Sequence, residues 1–441
     1  MASSASTAAS PGFAARRAAC LLVDGVLRRS QPLDEQLDAP KDPLAGLDQR
    51  DRGLARAIAG VSLRRLGSLR HALNALMRKP VEERGALDAI LLTGAAQILF
   101  LDVPDHAAVS LAVDLARADR NARPFAPLVN GVLRNLSRSK DDIAAALSDP
   151  LLDTPDWLRQ RRISDWGEDA ARAMAEAERI EPSLDITART DAADWAGTLG
   201  GRLLPTGTIR LIAHGAVTDM PGFAEGAWWV QDAAAALPAR LIAAQPGERI
   251  ADLCAAPGGK TAQLAAAGAD VTAVDRSASR LRRLTANLER LHLSTHTVAA
   301  DAAAFEAEPF DAVLLDAPCS ATGTLRRHPD VGWIKGEEDV AKLASLQGRL
   351  LDAAAGLLKP GGRLVYSTCS LERAEGEDQV AALLDRRSDL RRDPIRPDEL
   401  PGLSEAITAD GELRTFPYHL PDEIARLGGL DGFFAARLVR T

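Results

Sequence analysis

Cys319, in the run Asp316-Ala317-Pro318-Cys319-Ser320, and Cys369, in Tyr366-Ser367-Thr368-Cys369-Ser370, each follow a short apolar stretch and precede a serine. A lone cysteine is most often a small buried hydrophobe. Two at the ends of neighbouring strands would instead bring both thiols to one cleft, with the carboxylate of Asp316 beside them. A thiolate, a carboxyl group and a second helper are what methylation of a pyrimidine at C5 requires. C5 is too poor a nucleophile to attack a sulfonium methyl directly, but thiolate addition at C6 turns the ring into an enamine that can. A neighbouring acid at N3 assists the addition, and a base must later remove the C5 proton before the thiol leaves.

A methyl donor would have to be held nearby. Ile250-Ala251-Asp252-Leu253-Cys254-Ala255-Ala256-Pro257-Gly258-Gly259-Lys260-Thr261 is an apolar run ending in a Gly-rich turn, and Ala262 to Ala267 continues it as a helix. Such a strand, loop and helix lets backbone approach a ligand closely and offers free N–H groups at a positive dipole end. A nucleoside triphosphate, a dinucleotide and S-adenosylmethionine all suit a loop of this kind. A P-loop needs glycine where Cys254 stands, and a dinucleotide loop needs G-x-G-x-x-G, which is absent. S-adenosylmethionine remains, and the paired thiols give a reason for it.

Strands must position these groups. Arg249 to Cys254, Asp270 to Asp275, Thr295 to Ala300, Phe310 to Asp316, Arg363 to Ser367 and Phe433 to Val439 read as strands, with helices filling most gaps. That alternation predicts a doubly wound α/β sheet. Ligands in such sheets lie beyond the carboxyl ends of the strands, where strand order reverses. Asp275 is placed there for ribose hydroxyls and Asp301 for an adenine edge; with Asp316 they make three acids at strand ends.

Upstream the period differs. Residues 13–148 read as an all-α domain, with apolar residues at helical spacing such as Leu128, Val129, Val132, Leu133 and Leu136, punctuated by Pro40, Pro43, Pro80, Pro104 and Pro124. The apolar run from Leu87 to Leu101 is too short to span a bilayer and suits a buried helix. Its basic clusters, Arg16-Arg17, Arg64-Arg65 with Arg70, and Arg78-Lys79, are either solvated faces or phosphate contacts. His106, in Val103-Pro104-Asp105-His106-Ala107-Ala108-Val109, has no acidic or thiol partner at a useful spacing, which favours a structural role. Residues 149–235 form a small α+β linking module, with strands expected at Leu184 to Thr190 and Ile209 to Ile212. Residues 236–441 are the sheet domain and residues 1–12 an unstructured start; the first 20 residues, Ser/Ala-rich with Arg16 and Arg17 and no acid, are only faintly like a transit peptide.

The formal net charge of −8 gives no global pull toward nucleic acid, although residues 1–150 carry 20 Lys and Arg against 17 Asp and Glu. RNA would have to be held by local basic patches. Cys20, Cys254, Cys319 and Cys369 form no C-x-x-C pair and have no histidines at finger spacing. Neither zinc nor a disulfide framework is expected, and a reducing, cytoplasmic compartment fits.

The motifs Asp252 to Thr261, Asp316 to Ser320 and Ser367-Thr368-Cys369-Ser370 resemble three signatures of RNA (cytosine-5)-methyltransferases. Gln231-Asp232, Arg326-Arg327-His328-Pro329-Asp330 and Asp431-Gly432-Phe433-Phe434-Ala435-Ala436 resemble the ribosomal RNA small subunit methyltransferase B branch. Asp51-Arg52-Gly53-Leu54-Ala55, Val103 to Val109 and Val129-Asn130-Gly131-Val132-Leu133-Arg134 are similar to the NusB-like domain fused to those enzymes. The resemblance spans nearly the whole chain beyond residue 12. It implies that Cys369 attacks C6 and Cys319 assists release, whereas the DNA enzymes use the Pro-Cys cysteine as nucleophile. It also implies that Cys254, Ala255, Ala256, Pro257, Gly258, Gly259, Lys260, Asp275, Asp301 and Asp316 contact the cofactor. Two residues depart from the pattern. Ala321 stands where glycine commonly follows Pro-Cys-Ser, and Asp185-Ile186-Thr187 replaces an expected Arg/Asn-containing strand.

The expected activity is S-adenosylmethionine-dependent methylation of a cytidine C5 in small-subunit rRNA, with no metal. A target base must leave its stack to reach the cleft, and Arg326, Arg327 and His328 are expected to contact the flipped base or its backbone. The partner is rRNA, without DNA or membrane, and the chain is expected to be a monomer. Two rivals are weaker. A nicotinamide oxidoreductase leaves both cysteines without roles, and a non-catalytic RNA-binding or antitermination protein with a vestigial methyltransferase half predicts loss of motif residues that are all present.

Overall fold

The computed structural model describes residues 11–37, 42–79, 85–213 and 215–441; Pro40, Pro80 and residues 1–10 of the expected N-terminal tail lie outside the described residues. It contains two compact units. One comprises the chain to Ile163 with Glu168–Arg179 and His328–Gly336, the other Ser164–Gly167, Ile180–Arg327 and Glu337–Thr441.

The first unit is helical, as its periodicity predicts. Its longer helices are Phe13–Arg29, Gln49–Arg64, Leu66–Leu76, Ala86–Phe100, Asp105–Ala118 and Ala126–Arg138. The Leu87 to Leu101 run is the central helix, buried on every side from Leu87 to Ile98, as a helix apolar all round must be. Gly94 permits this packing, because a Cβ there would lie 2.6 Å from Leu133 on the Ala126–Arg138 helix. Asp48 caps the Gln49–Arg64 helix by accepting from the Asp51 N–H at 2.8 Å. The stretch His328–Gly336, distant in sequence, is tied into this unit: Trp333 donates its indole N–H to the Leu63 carbonyl at 3.0 Å, and Asp330 accepts from the Leu33 N–H at 3.0 Å. Among the described residues no helix is long and apolar enough to cross a membrane.

The second unit holds two sheets. In the small antiparallel one, β1 (Asp185–Ala188), β2 (Gly201–Leu203), β3 (Ile209–Leu211) and β4 (Trp228–Val230) lie in the order β2-β3-β1-β4. The large one contains β5 (Arg249–Leu253), β6 (Asp270–Asp275), β7 (His296–Ala299), β8 (Phe310–Asp316), β9 (Leu358–Thr368), β10 (Leu390–Arg392), β11 (Leu413–Thr415) and β12 (Phe433–Arg440). Its order is β10-β12-β9-β8-β5-β6-β7, with β11 also on β12. Strands β5 to β9 are parallel, while β12 runs antiparallel to β9. The alternating side chains of each strand feed two cores. Ile250, Ala312, Leu314 and Val365 belong to one, and Ala251, Leu253, Val313, Leu315 and Leu364 to the other. Both faces are thus covered, as a parallel sheet requires. The chain winds outward from β5 through β7 and returns at β8, so strand order reverses between β5 and β8. Their carboxyl ends carry the Gly-rich loop and Asp316.

Candidate active site

The loop after β5 is shaped by its own backbone. Cys254 sits at φ 62° and Gly258 at φ 104°, and a Cβ at Gly258 would meet the Leu284 side chain at 2.8 Å. Only glycine suits that second position. Burial pushes the Cys254 thiol up to about 12, which disfavours its thiolate. Asp252 is buried under the loop and accepts a 2.6 Å hydrogen bond from the Thr261 hydroxyl. Burial, against the pull of that hydrogen bond, raises its carboxyl to about 7.

A cavity beside the loop is lined by Ala255, Ala256, Pro257, Gly259, Lys260 and Asp316, closed on the other side by Trp229, Gln231 and Asp232. Close backbone, an aromatic wall and carboxylates suit an adenosyl ligand bearing a positive sulfonium. Gly259 faces Gln231 across the cavity, and a Cβ there would stand in ordinary contact, 3.4 Å from the Gln231 side chain. Asp275 and Asp301, the other two acids expected to contact the cofactor, each have protein partners. Asp275 is buried at the end of β6 and accepts from the Ala256 N–H at 3.2 Å and the Ser277 N–H at 2.8 Å, so it braces the loop from behind. Asp301 is exposed and caps the short turn Ala302–Ala304. Neither is among the residues lining this cavity.

Asp316 and Lys260 meet at the reversal point. Lys260 Nζ donates to Asp316 Oδ2 at 2.8 Å, and the Ser367 hydroxyl donates to Asp316 Oδ1 at 3.0 Å. Burial, the largest single influence, would lower the Lys260 pKa, but the charge and hydrogen bond of Asp316, joined by Cys369 and Asp252, together hold the ammonium above its ordinary value. Because β8 and β9 are paired, with Asp316 opposite Ser367, the turns that follow run side by side. Cys319 Sγ and Cys369 Sγ stand 3.4 Å apart, each half-buried. The hydrogen bond with Cys369, joined by burial, raises the Cys319 thiol well above its ordinary pKa, so Cys319 keeps its proton beside Cys369.

The two turns are stitched together behind the sulfurs. Gly323 N–H donates to the Cys369 carbonyl at 3.0 Å, Ser320 Oγ lies 3.2 Å from Ser370 Oγ, and the Leu371 N–H donates to Thr322 Oγ1 at 3.1 Å. Ala321 takes φ 60°, the left-handed conformation that the commoner glycine adopts freely, so the loop keeps its shape at a cost of roughly 1–2 kcal/mol. Glu375 was not visible from sequence as a site residue. It is fully buried, accepts both the N–H and the hydroxyl of Ser320, and accepts from Gln347 at 3.1 Å.

Of the residues expected to contact RNA, Arg326 and Arg327 are engaged by protein groups. Arg326 is 1% exposed and donates to the Gly428 carbonyl at 2.7 Å; burial lowers it to about 10. Arg327 pairs with Asp232 at 2.7 Å, Asp185 at 3.3 Å and Asp431 at 3.4 Å. Arg210 forms a bidentate pair with Asp185, both distances 2.7 Å and both residues fully buried. The departure at Asp185 therefore places an anchor for two arginines. His328 lies in the helical unit, 3.4 Å from Asp34. All four cysteines are free thiols, and no group of His, Cys, Asp and Glu among the described residues is arranged to hold a metal.

Comparison with known proteins agrees with this architecture. Residues 239–439 match the family model of 16S rRNA methyltransferase RsmB/F, and residues 14–138 match the NusB family. The chain is 37% identical to Ribosomal RNA small subunit methyltransferase B of Xanthomonas campestris pv. campestris over 409 residues, 89% of this chain and 92% of that one. It is 35% identical to the protein of the same description from Pseudomonas putida, over 98% of both chains. Among solved structures, a methyltransferase homolog protein from Pyrococcus horikoshii aligns with a TM-score of 0.54 and 28% identity over 64% of this chain and 94% of that one. NSun6 from Pyrococcus horikoshii, solved with SFG, aligns with a TM-score of 0.55 and 20% identity over 65% of this chain and 98% of that one. The chain thus belongs to the 16S rRNA methyltransferase RsmB/F family and carries a NusB-family helical domain at its N-terminal side.

Proposed function

We propose that this rRNA methyltransferase modifies C5 of a cytidine in small-subunit rRNA, acting as a cytoplasmic monomer with neither DNA nor membrane as partner. The observation that carries the reading is the pair of half-buried thiols, Cys319 and Cys369, 3.4 Å apart at adjacent strand ends next to the Lys260–Asp316 pair. The helical domain, residues 13–148, holds RNA, and residues 149–235 link it to the methyltransferase domain, 236–441.

S-adenosylmethionine is the methyl donor and supplies a methyl group activated on a sulfonium centre. The chain does the rest. Cys369 attacks C6, forming a sulfur–carbon bond and moving the C5=C6 electrons onto C5. Asp316, held by Lys260 and Ser367, is the carboxyl group beside N3 that favours this addition. Once C5 carries the methyl group, its proton passes to water, the C5–H electrons re-form the C5=C6 bond, and the C6–S electrons leave with the Cys369 sulfur as thiolate, restoring the aromatic ring. Cys319, protonated and in contact with Cys369, is the group placed to assist that release. The cofactor wall is residues 254 to 260 with Asp316; Asp275 acts through the loop it braces, and Asp301 borders the adenine end.

Bisulfite sequencing of rRNA tests the reading. Cells lacking the protein should lose protection at one cytidine, and wild-type protein should restore it while Cys369→Ala does not. Protection restored by Cys369→Ala, or never lost, would exclude this assignment.

A further inference from the structure

The helices Asp105–Ala118 and Ala126–Arg138 border a groove on the helical unit, and its two walls carry two of the runs that first marked this domain. One wall presents His106 and Arg117, the other Asn130, Arg134 and Arg138, over a floor of Val109 and Val113. The carboxylates there are already engaged. Asp105 accepts a 2.6 Å hydrogen bond from the Ser137 hydroxyl, and Asp114 lies 3.5 Å from Arg117. Arg134 and Arg138 are exposed and lie one turn apart on the same helix, and their side chains have no hydrogen bond or ion pair with any described residue; neither does that of His106.

The other basic clusters of this unit divide. Arg16 is buried and donates to Gln97 Oε1 at 2.7 Å, Arg64 donates to the Glu178 carbonyl at 2.9 Å, and Arg65 lies 3.3 Å from Asp153, so those cations hold the unit together. Arg17, Arg78 and Lys79 are exposed and have no side-chain hydrogen bond or ion pair with a described residue, but none of them lines this groove. Within the groove, Arg134 and Arg138 stand four residues apart on one helix, about 5–6 Å at Cβ, so their guanidinium forks can engage neighbouring acceptors.

We propose that this groove binds the phosphodiester backbone of the RNA substrate. Guanidinium forks match phosphate oxygens bidentately, and the hydroxyl, amide and imidazole groups between them suit hydrogen bonds to sugar or phosphate. The proposal rests on the family's rRNA substrate and is independent of which atom is methylated. With a whole-protein charge of −8, an RNA ligand needs such a local concentration of unpaired cations.

The test uses full-length protein, a 16S rRNA transcript and binding measured across a KCl series. Arg134→Glu/Arg138→Glu should weaken binding about tenfold or more near 0.1 M salt and flatten the log–log salt slope by roughly 1.4–1.8 if two phosphate contacts are lost. Arg50→Glu/Arg56→Glu, two exposed charge reversals on another helix of the same unit, controls for net charge. S-adenosylmethionine affinity should not move in either variant. A groove variant indistinguishable from that control overturns the proposal. So does a groove variant that keeps RNA affinity while losing affinity for a polyglutamate peptide, which would make the groove a protein-docking site. Failure of the C5 assignment would appear separately, in the bisulfite assay, with groove binding intact.

Discussion

Glu375 accepts hydrogen bonds from both the backbone N–H and the hydroxyl of Ser320, the residue that follows Cys319. Its own backbone carbonyl accepts from the Tyr366 hydroxyl at 2.6 Å, one strand end from Cys369. One residue on a short turn, Arg373–Glu375, therefore fixes the Cys319 turn against the strand that delivers Cys369. Burial raises the Glu375 pKa, while the donors around it favour its charge. Glu375→Gln replaces an acceptor oxygen with a donor facing Ser320 or Gln347. The expected result is a fall in kcat of roughly tenfold to a hundredfold, since misplacing a reacting group by about 1 Å costs on that order. KM for RNA and affinity for S-adenosylmethionine should stay nearly constant. Steady-state kinetics with a melting curve for each variant decide the matter; an unchanged kcat in a folded variant would show that the turn holds its shape without this carboxylate.

Asp252 ties stability to pH. Its folded pKa, raised to about 7 by burial, lies above the unfolded value near 3.9. The folded state therefore binds this proton more tightly. The associated stability is complete below about pH 4 and is lost as pH rises through about 7, on the order of 4 kcal/mol in total. Asp252→Asn keeps an acceptor for Thr261 and carries no charge. Relative to wild type it should gain stability between pH 5 and pH 8, read from urea unfolding at both values. An equal difference at the two pH values would mean that Asp252 titrates normally.

Asp185 and Arg210 form a buried pair to which Arg327 adds a third member. Removing one partner strands the other charge. Asp185→Ala should cost about 3–5 kcal/mol, whereas replacing a surface ion-pair acid such as Asp352, half-exposed beside Arg386, should cost about 1 kcal/mol or less. Denaturant titration of both variants makes the comparison. Similar losses would place the Asp185 cluster in water.

How far these features could be read from sequence depended on distance along the chain. Cys319 and Cys369 were legible as neighbours because strand–helix alternation makes β8 and β9 parallel and adjacent, and a strand end fixes where the next turn begins. The strands at Asp270–Asp275 and Phe310–Asp316 appear as their apolar runs predict. Strand β9 starts earlier than expected, at Leu358, because Pro360-Gly361-Gly362 looks like a turn and is instead absorbed with a register shift against β8. Strands β10 and β11, three residues each, are too short for alternation to register. Arg326 and Arg327 looked like surface cations because their surroundings come from far away: Asp232 lies 95 residues from Arg327 and Asp185 lies 142. Glu375 was hidden for the same reason, with Ser320 55 residues off and acidic neighbours on both sides in sequence.

The assignment of Cys369 as nucleophile and Cys319 as the releasing group is tested most directly by trapping. Cys319→Ala, incubated with S-adenosylmethionine and a 16S rRNA transcript, should accumulate a protein–RNA adduct that survives denaturing electrophoresis. Cys319→Ala/Cys369→Ala should form none. An adduct that persists in the double variant, or one formed by Cys369→Ala alone, would contradict the roles assigned to the two thiols.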